Sequence, residues 1–160
     1  MKTDYKVGEL IYDANIYDGL NTFLSDLQFY KKWLPTNKDA RILELCCGTG
    51  RLTIPIAQDG YSICGVDYTL SMLEQAKAKA AEAGLDIDFI EADIRALDLQ
   101  EKFDFIFIPF NSIHHLYRNE DLFKALECVK SHLKDGGLFL LDCFNPNIQY
   151  IVENKKGKAV

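Results

Sequence analysis

Residues 41–50 read RILELCCGTG, and this stretch decides the fold. Its first half is mostly apolar, as expected of a short buried strand. Gly48 and Gly50 follow at once, and the lack of a side chain allows a tight turn in which a ligand can approach the backbone closely. A helix is predicted to follow this turn and to end at about Gln58. The stretch therefore predicts a strand, a glycine turn and a helix in direct succession.

The same alternation of strand and helix continues outward to residue 146. The predicted strands are mostly continuous apolar runs, which is typical of parallel strands covered by helices on both faces. The sequence therefore predicts an α/β fold with a doubly wound, mostly parallel sheet of five strands and helices on both faces. The further strands are predicted at residues 61–66, 87–91, 103–108 and 138–143, and the further helices at residues 70–83 and 120–133.

A chain of 160 residues is long enough for one domain with a sizeable core. An amphipathic helix is predicted over residues 18–33, because its apolar side chains recur at helical spacing. These are Leu20, Phe23, Leu24 and Leu27. We expect an N-terminal helical cap or lid over residues 1–38, a core over residues 39–146 and a short tail over residues 147–160.

The charge distribution argues against a nucleic-acid partner. The formal net charge is −6, and no stretch concentrates the basic residues into a stripe that could follow a phosphate backbone. No apolar run approaches the roughly 20 residues of a membrane span, and the polar N-terminus does not resemble a signal peptide. We therefore expect neither a nucleic-acid nor a membrane partner.

The five cysteines form no CxxC pair, so the sequence suggests neither a zinc site nor a disulfide framework, and no bound metal is expected. Most of them lie in apolar runs or in a predicted helix. We expect reduced thiols in the core of a cytoplasmic protein.

An acidic residue follows the second predicted strand at a position typical of nucleoside binding. Asp67 comes nineteen residues after Gly48, and a carboxylate at this place can accept hydrogen bonds from both hydroxyls of a ribose. Together with the glycine turn it indicates a ligand that carries a nucleoside. Thr53 stands where the dinucleotide fingerprint has its third glycine, which argues against NAD.

Five motifs in order resemble the class I S-adenosylmethionine-dependent methyltransferase family, over about residues 41–146. The resemblance implies a Rossmann-like methyltransferase fold, S-adenosyl-L-methionine as cofactor and methyl transfer as activity. The matching segments are Glu44 to Gly50, Val66-Asp67, Glu91 to Ile94, Phe105 to Ser112 and Leu133 to Leu141.

The resemblance also implies how the cofactor would be held. The backbone from Gly48 to Gly50 would flank its methionine part, together with Cys46 and Thr49, and Glu44 would support the turn. Further residues are implied around the rest of the cofactor. Asp67 would bind the ribose, Tyr68 and Met72 would pack on the adenine, Asp93 would accept from the adenine amino group, Ile94 would cover the ring, and Asn111 would line the reactive centre with Tyr17.

Methyl transfer from a sulfonium needs alignment and an environment that tolerates a cation. Tyr12, Tyr17 and Tyr30 are candidates for this environment, with packing in the core or lid as the alternative. His114 and His115 follow the fourth strand and are candidates for a general base, with shaping of the loop as the alternative.

A small molecule is the expected methyl acceptor, because the acidic chain offers no basic patch for RNA or DNA.

In this family an antiparallel pair of strands usually follows strand five, and residues 147–160 are too few for it. We therefore expect an exposed edge at strand five, which a second copy or another chain could cover. Two alternatives stay open: a cofactor-binding module or truncated fragment without activity, and an NAD-type oxidoreductase.

Overall fold

The computed structural model describes residues 13–153, which form a sheet of five parallel strands. Tyr12 lies outside the described residues. The strand order is β3-β2-β1-β4-β5, so the predicted parallel α/β sheet is confirmed. The strands are β1 (Arg41–Leu45), β2 (Ser62–Asp67), β3 (Asp88–Glu91), β4 (Phe103–Ile108) and β5 (Leu133–Leu141).

Helices connect the strands and precede the sheet. They are α1 (Ala14–Leu20), α2 (Leu27–Lys31), α3 (Thr53–Gln58), α4 (Leu70–Glu82), α5 (Asn119–His132) and α6 (Ile148–Glu153), with a 3₁₀ helix at Ser112–His115. In the part of the chain that the structure describes, none of the helices has the length and apolar character needed to cross a membrane.

Side chains alternate between the two faces of the sheet along each strand, and helices cover both faces. On one face Ile42 and Phe107 pack with Ile56 of α3 and with α2. On the opposite face Leu43 and Ile106 pack with α5. The central strands read as continuous apolar runs because neither face meets water.

The strand order reverses at β1, which lies between β2 and β4. From β1 the chain leads to β2 and β3, which lie on one side of β1 within the sheet. It later returns to β4, which lies on the other side of β1. Such a reversal opens a crevice beyond the carboxyl ends of the strands. The residues that follow β1, β2, β3 and β4 therefore border one crevice.

The predicted helix over residues 18–33 is wrong. The structure has two short helices, α1 and α2, and the segment between them contains Phe23 and Leu24, which are exposed. Leu20 is also exposed, and only Leu27 of the predicted apolar face is buried. The segment is held open because the Phe23 carbonyl and the Asp26 carboxylate both accept hydrogen bonds from Arg51.

The fifth strand begins earlier than the sequence predicts. Leu133, which the sequence placed on the helical stripe, is the first residue of β5 and pairs with Phe103. The pairing shifts register before it resumes between Leu138 and Phe105, and Gly136 in this interval has a φ of 76°. The expected edge position of the fifth strand is confirmed within residues 13–153, and Leu138 on this strand is 40% exposed.

Replacement of Gly65 by alanine is expected to destabilise the fold, because β2 is packed closely at this point. A Cβ on Gly65 would lie 2.9 Å from Cys47 Sγ and 2.9 Å from Phe89 Cδ1. We expect Gly65→Ala to lower the free energy of unfolding by roughly 1–3 kcal/mol in urea denaturation. Gly19→Ala is the control, because a Cβ on Gly19 would meet no heavy atom within 4 Å beyond its own helix backbone, and alanine favours helices. Equal unfolding midpoints for both variants would contradict the prediction.

Candidate functional site

The turn after β1 has an unusual backbone conformation. Cys46, Gly48 and Gly50 all have positive φ, at 61°, 55° and 76°. The Gly50 N–H closes the turn by donating to the Cys47 carbonyl at 3.0 Å. Cys46 is a non-glycine residue in the left-handed region, which is costly and is found mainly where the surroundings force it.

Asp67, at the end of β2, is the partner that holds this turn. Its Oδ2 accepts a hydrogen bond from the Gly48 N–H at 2.8 Å, and its Oδ1 accepts one from the Thr69 N–H at 2.9 Å. Burial raises the pKa of Asp67, and these backbone N–H groups oppose the rise. The Thr69 hydroxyl and the Tyr68 N–H also donate to this carboxylate and oppose the rise, so a ligand hydroxyl would have to share its oxygens with these donors.

Glu44 lies on β1 below the turn and is 2% exposed. Its Oε2 accepts a hydrogen bond from the Thr53 hydroxyl at 2.5 Å. Burial raises the pKa of Glu44 to about 8, while the Thr53 hydroxyl and the charge of Arg51 oppose this rise. Thr53, which the sequence marked only as a missing glycine, is therefore the support of a buried acid.

Asp18 joins the N-terminal segment to the turn. The Thr49 hydroxyl donates to Asp18 Oδ1 at 2.5 Å, and Lys79 of α4 approaches both Asp18 oxygens at 3.0 Å. Thr49 has no exposed surface. The α1 helix is thus tied to both the β1 turn and α4.

A second connection runs from Arg51 to the segment between α1 and α2. The guanidinium donates to both Asp26 oxygens, at 2.6 and 2.7 Å. It also lies over the rings of Phe23 and Phe110, with centroid distances of 5.4 and 4.8 Å. Tyr17 contacts Phe110 edge-on, and burial raises the pKa of its hydroxyl. Aromatic rings and a cation are thus gathered beside the turn.

Asp93 follows β3 and forms an ion pair with Arg95. Arg95 Nε, Nη2 and the backbone N–H all donate to the Asp93 carboxylate, at 2.5 to 3.0 Å. This pairing lowers the pKa of Asp93. Arg95 also approaches Asp121 at 3.3 Å. Because Arg95 occupies most acceptor positions of Asp93, a further donor would have to share them.

The remaining residues predicted at the adenine differ in exposure. Ile94 is 7% exposed and Met72 is 3% exposed, and Ile94 belongs to the core beside α5. Tyr68 is 74% exposed at the start of the connection to α4. Asp67, Tyr68 and Asp93 therefore lie at the ends of neighbouring strands, with Met72 and Ile94 as buried supports.

The loop after β4 contains Asn111, which is half-buried. Phe110 and Asn111 have φ values of 58° and 60°, and their N–H groups donate to Asp142 after β5. Tyr30 donates to the same carboxylate and has no exposed surface. Tyr30 was predicted at the substrate or lid, and the structure places it in the core beneath this loop.

His114 and His115 lie on the 3₁₀ helix that follows Asn111, and both are exposed. The His114 N–H donates to the Asn111 carbonyl at 2.9 Å. Both histidines therefore follow the fourth strand closely, as the sequence predicted, and their predicted role as bases stays a prediction.

Sequence reasoning assigned no role to the residues that connect distant segments to the site. These are Asp18, Asp26, Arg51 and Asp142. Asp18 and Asp26 lie in the segment predicted as an amphipathic helix. Arg51 and Asp142 carried a usable signal, since each comes shortly after an apolar strand, as Asp67 does.

The carboxylates at this crevice are only partly neutralised. Among the described residues, Asp18, Asp26 and Asp93 form ion pairs with Lys79, Arg51 and Arg95. Glu44, Asp67 and Asp142 receive hydrogen bonds from neutral groups instead. The crevice therefore suits a ligand that brings hydroxyl donors and positive charge.

Sequence comparison finds that residues 42–137 match the family described as Methyltransferase domain. The putative methyltransferase YqeM of Bacillus subtilis is 30% identical over 132 residues, which are 81% of this chain and 53% of that protein. The chain spans about half the length of the curated relatives it matches. Shorter matches to 23S rRNA methyltransferases cover about two fifths of the chain.

Solved structures with the same fold have similar coverage. An S-adenosylmethionine-dependent methyltransferase from Clostridium acetobutylicum is 32% identical with a TM-score of 0.68, over 81% of this chain and 55% of that one. The glycopeptide N-methyltransferase MtfA, in complex with S-adenosyl-L-methionine, is 28% identical with a TM-score of 0.67, over 73% and 52%.

The buried acid predicts a distinct dependence of stability on pH. Glu44 has a pKa of about 8 in the fold and an ordinary value of 4.5, so the folded chain binds the proton more tightly than the unfolded chain. The contribution of Glu44 to stability is therefore full below pH 4.5 and falls as pH rises toward 8.

Glu44→Gln removes this titration and keeps an acceptor for Thr53. As the pH rises from about 5 to about 8, we expect the free energy of unfolding of the variant to increase relative to that of the wild type. The expected increase is on the order of a few kcal/mol, as the raised pKa of Glu44 implies. Urea denaturation across this range measures it. Because Asp67 titrates in both proteins, the subtraction cancels its contribution; parallel stability curves would contradict the assignment.

Proposed function

This chain belongs to the class I S-adenosylmethionine-dependent methyltransferase family, and we propose that it binds S-adenosyl-L-methionine and transfers the methyl group to a small-molecule acceptor. The observation that carries the proposal is the Gly48–Gly50 turn held by the Asp67 carboxylate at the reversal point of the sheet. This arrangement offers backbone and carboxylate acceptors side by side, as a nucleoside with an amino-acid tail requires.

The residues of the crevice fit this cofactor. Asp67 would accept from the ribose hydroxyls, which would share its oxygens with the Thr69 hydroxyl and the backbone N–H donors. The Gly48–Gly50 backbone would face the methionine part with Cys46 and Thr49, and Glu44, buried on β1 below the turn, would support it. Tyr68, Met72, Asp93 and Ile94 form the adenine end, where the amino group shares Asp93 with Arg95.

The bound cofactor supplies a methyl group activated by a positively charged sulfur, and the leaving group is a neutral thioether. The protein then has to place the acceptor in line with the methyl carbon and exclude competing geometries. Asn111 and Tyr17 border the position of this reaction, and the uncompensated carboxylates favour the positive charge of the sulfonium.

A small-molecule acceptor is supported by the charge of the chain. The net charge is −6, and binding to a phosphate backbone would require a basic surface. The relative MtfA is a glycopeptide N-methyltransferase, so amines are the first acceptors to test. All five cysteines are free, which fits a cytoplasmic location.

Cofactor binding is expected to depend on Asp67. We expect the wild type to bind S-adenosylhomocysteine with a Kd on the order of micromolar, and Asp67→Asn to weaken binding at least about tenfold, because hydrogen bonds to a charged group are lost. Isothermal titration calorimetry measures both. Asp88→Asn is the matched control, since Asp88 is an exposed carboxylate at the amino end of the adjacent strand.

Absence of detectable heat with the wild type would reject the proposal. A thermal shift with NAD and none with S-adenosylhomocysteine would favour an oxidoreductase instead. Binding without turnover of any acceptor would identify a cofactor-binding module instead.

The histidines after β4 are proposed as the base that accepts a proton from the acceptor. We expect His114→Gln or His115→Gln to lower kcat by roughly 10²–10⁴, because the variant side chain cannot take up the proton. The measurement is S-adenosylhomocysteine release from S-adenosylmethionine with a panel of amines and hydroxylated compounds. Each single variant serves as the control for the other, and an unchanged kcat in both would restrict the histidines to shaping the loop.

A further inference from the structure

The loop after β4 has a backbone conformation that needs an external support. Phe110 and Asn111 are two consecutive non-glycine residues with φ near 60°. Each such residue costs of the order of 1 kcal/mol or more and persists only when its surroundings impose it. Asn111 also lies at the reactive side of the crevice, so the support of this turn bears on the reaction.

Asp142 supplies that support from the end of the neighbouring strand. Its Oδ2 accepts the Phe110 N–H at 2.8 Å, and its Oδ1 accepts the Asn111 N–H at 2.6 Å. The Asp142 N–H in turn donates to the Ile108 carbonyl at 3.3 Å. The two strands and the turn are therefore joined at one carboxylate.

Tyr30 fixes the carboxylate in this orientation. Its hydroxyl donates to Asp142 Oδ2 at 2.6 Å, and its ring packs on Phe107 of β4 at a centroid distance of 4.9 Å. The ring has no exposed surface, so its position is set by the core. The hydroxyl stays a donor because burial and the Asp142 charge raise the pKa of Tyr30.

We propose that Asp142 is a positioning residue, which together with Tyr30 holds the Phe110–Asn111 turn in the geometry that the acceptor side of the site requires. The inference rests on the proposed methyl transfer for its catalytic consequence. Three hydrogen bonds converge on this charged group, and bonds to ionised acceptors are stronger than neutral ones. The hydrogen bonds of Asp142 go to Tyr30, to the Phe110–Asn111 turn and to Ile108, and not to the turn after β1, so its loss should affect the acceptor side more than cofactor binding.

Asp142→Asn is the variant that tests the proposal. An amide has one acceptor oxygen, so at least one N–H of the turn loses its partner while the shape of the side chain is kept. Amide hydrogen exchange over residues 106–116 should become on the order of tenfold faster. With the acceptor found in the amine and hydroxyl panel, kcat should fall on the order of 10- to 100-fold, as expected of a misplaced reacting group. The Kd of S-adenosylhomocysteine should stay within about twofold.

Asp104→Asn is the matched control. Asp104 also accepts a backbone hydrogen bond, from the Arg41 N–H at 2.8 Å, but at the amino end of β4, the strand that the Phe110–Asn111 turn follows. We expect this variant to keep the wild-type kcat and the wild-type exchange over residues 106–116. Thermal denaturation of both variants separates a local change from a general loss of stability.

Tyr30→Phe provides a second test, because it removes only the hydroxyl. We expect a smaller loss of kcat in the same direction. The double variant with Asp142→Asn should lose less than the product of the two single losses, because both act through one carboxylate.

Several results would overturn the proposal. These are unchanged exchange over residues 106–116 in Asp142→Asn, a kcat loss that Asp104→Asn reproduces, or multiplicative losses in the double variant. If the wild type transfers no methyl group, the proposed function fails. The hydrogen-exchange comparison then still decides whether Asp142 holds the turn, and the catalytic part of the inference falls with the function.

Discussion

The hydrogen bond from the Gly48 N–H to the Asp67 carboxylate joins the turn after β1 to the end of β2. The turn contains three residues with positive φ, and Asp67 keeps its backbone N–H pointing toward the second strand. Because both strands are parallel neighbours in register, Leu45 beside Val66, the two ends always arrive at the same edge of the sheet. The carboxylate therefore supports the fold at this edge, and under the proposed function the same carboxylate would bind the ligand.

Burial of acids at this edge has an energetic cost that the fold distributes over several supports. Glu44 is covered by the core and is stabilised by the Thr53 hydroxyl, and burial raises its pKa to about 8. Asp67 is supported by backbone N–H groups, which oppose the effect of burial on its pKa. A cationic ligand would reduce this cost further, because it adds to the attraction that Arg51 already provides for Glu44. The site is thus less stable empty than its individual hydrogen bonds suggest.

The parts that the sequence predicted correctly are those that depend on local pattern. The strands were found because they are continuous apolar runs, and the positions of Gly48 and Asp67 at strand ends follow directly from them. The break between α1 and α2 could not be predicted, since it depends on Arg51, which lies 25 residues after Asp26. The early start of β5 was missed because Leu133 continues a helical spacing, while its pairing with Phe103 is decided by the sheet. The sequence left two interpretations of Tyr30 open, a place beside the cation or packing in the core or lid. Only the fold shows that Tyr30 lies in the core.

The two sides of the crevice differ in how far apart in sequence their supports lie. On the cofactor side, Gly48 and Asp67 are 19 residues apart and belong to one strand–helix–strand unit. On the acceptor side, Asp142 is 31 residues from Asn111 and 112 residues from Tyr30. The acceptor side also depends on β5, which lies at the edge of the described sheet and has a register shift in its first half. Edge strands are held by a single neighbour, so a change in β5 moves Asp142 before it disturbs β1 or β2. The turn after β4, where we propose that the acceptor binds, is therefore more sensitive to distant substitutions than the turn after β1.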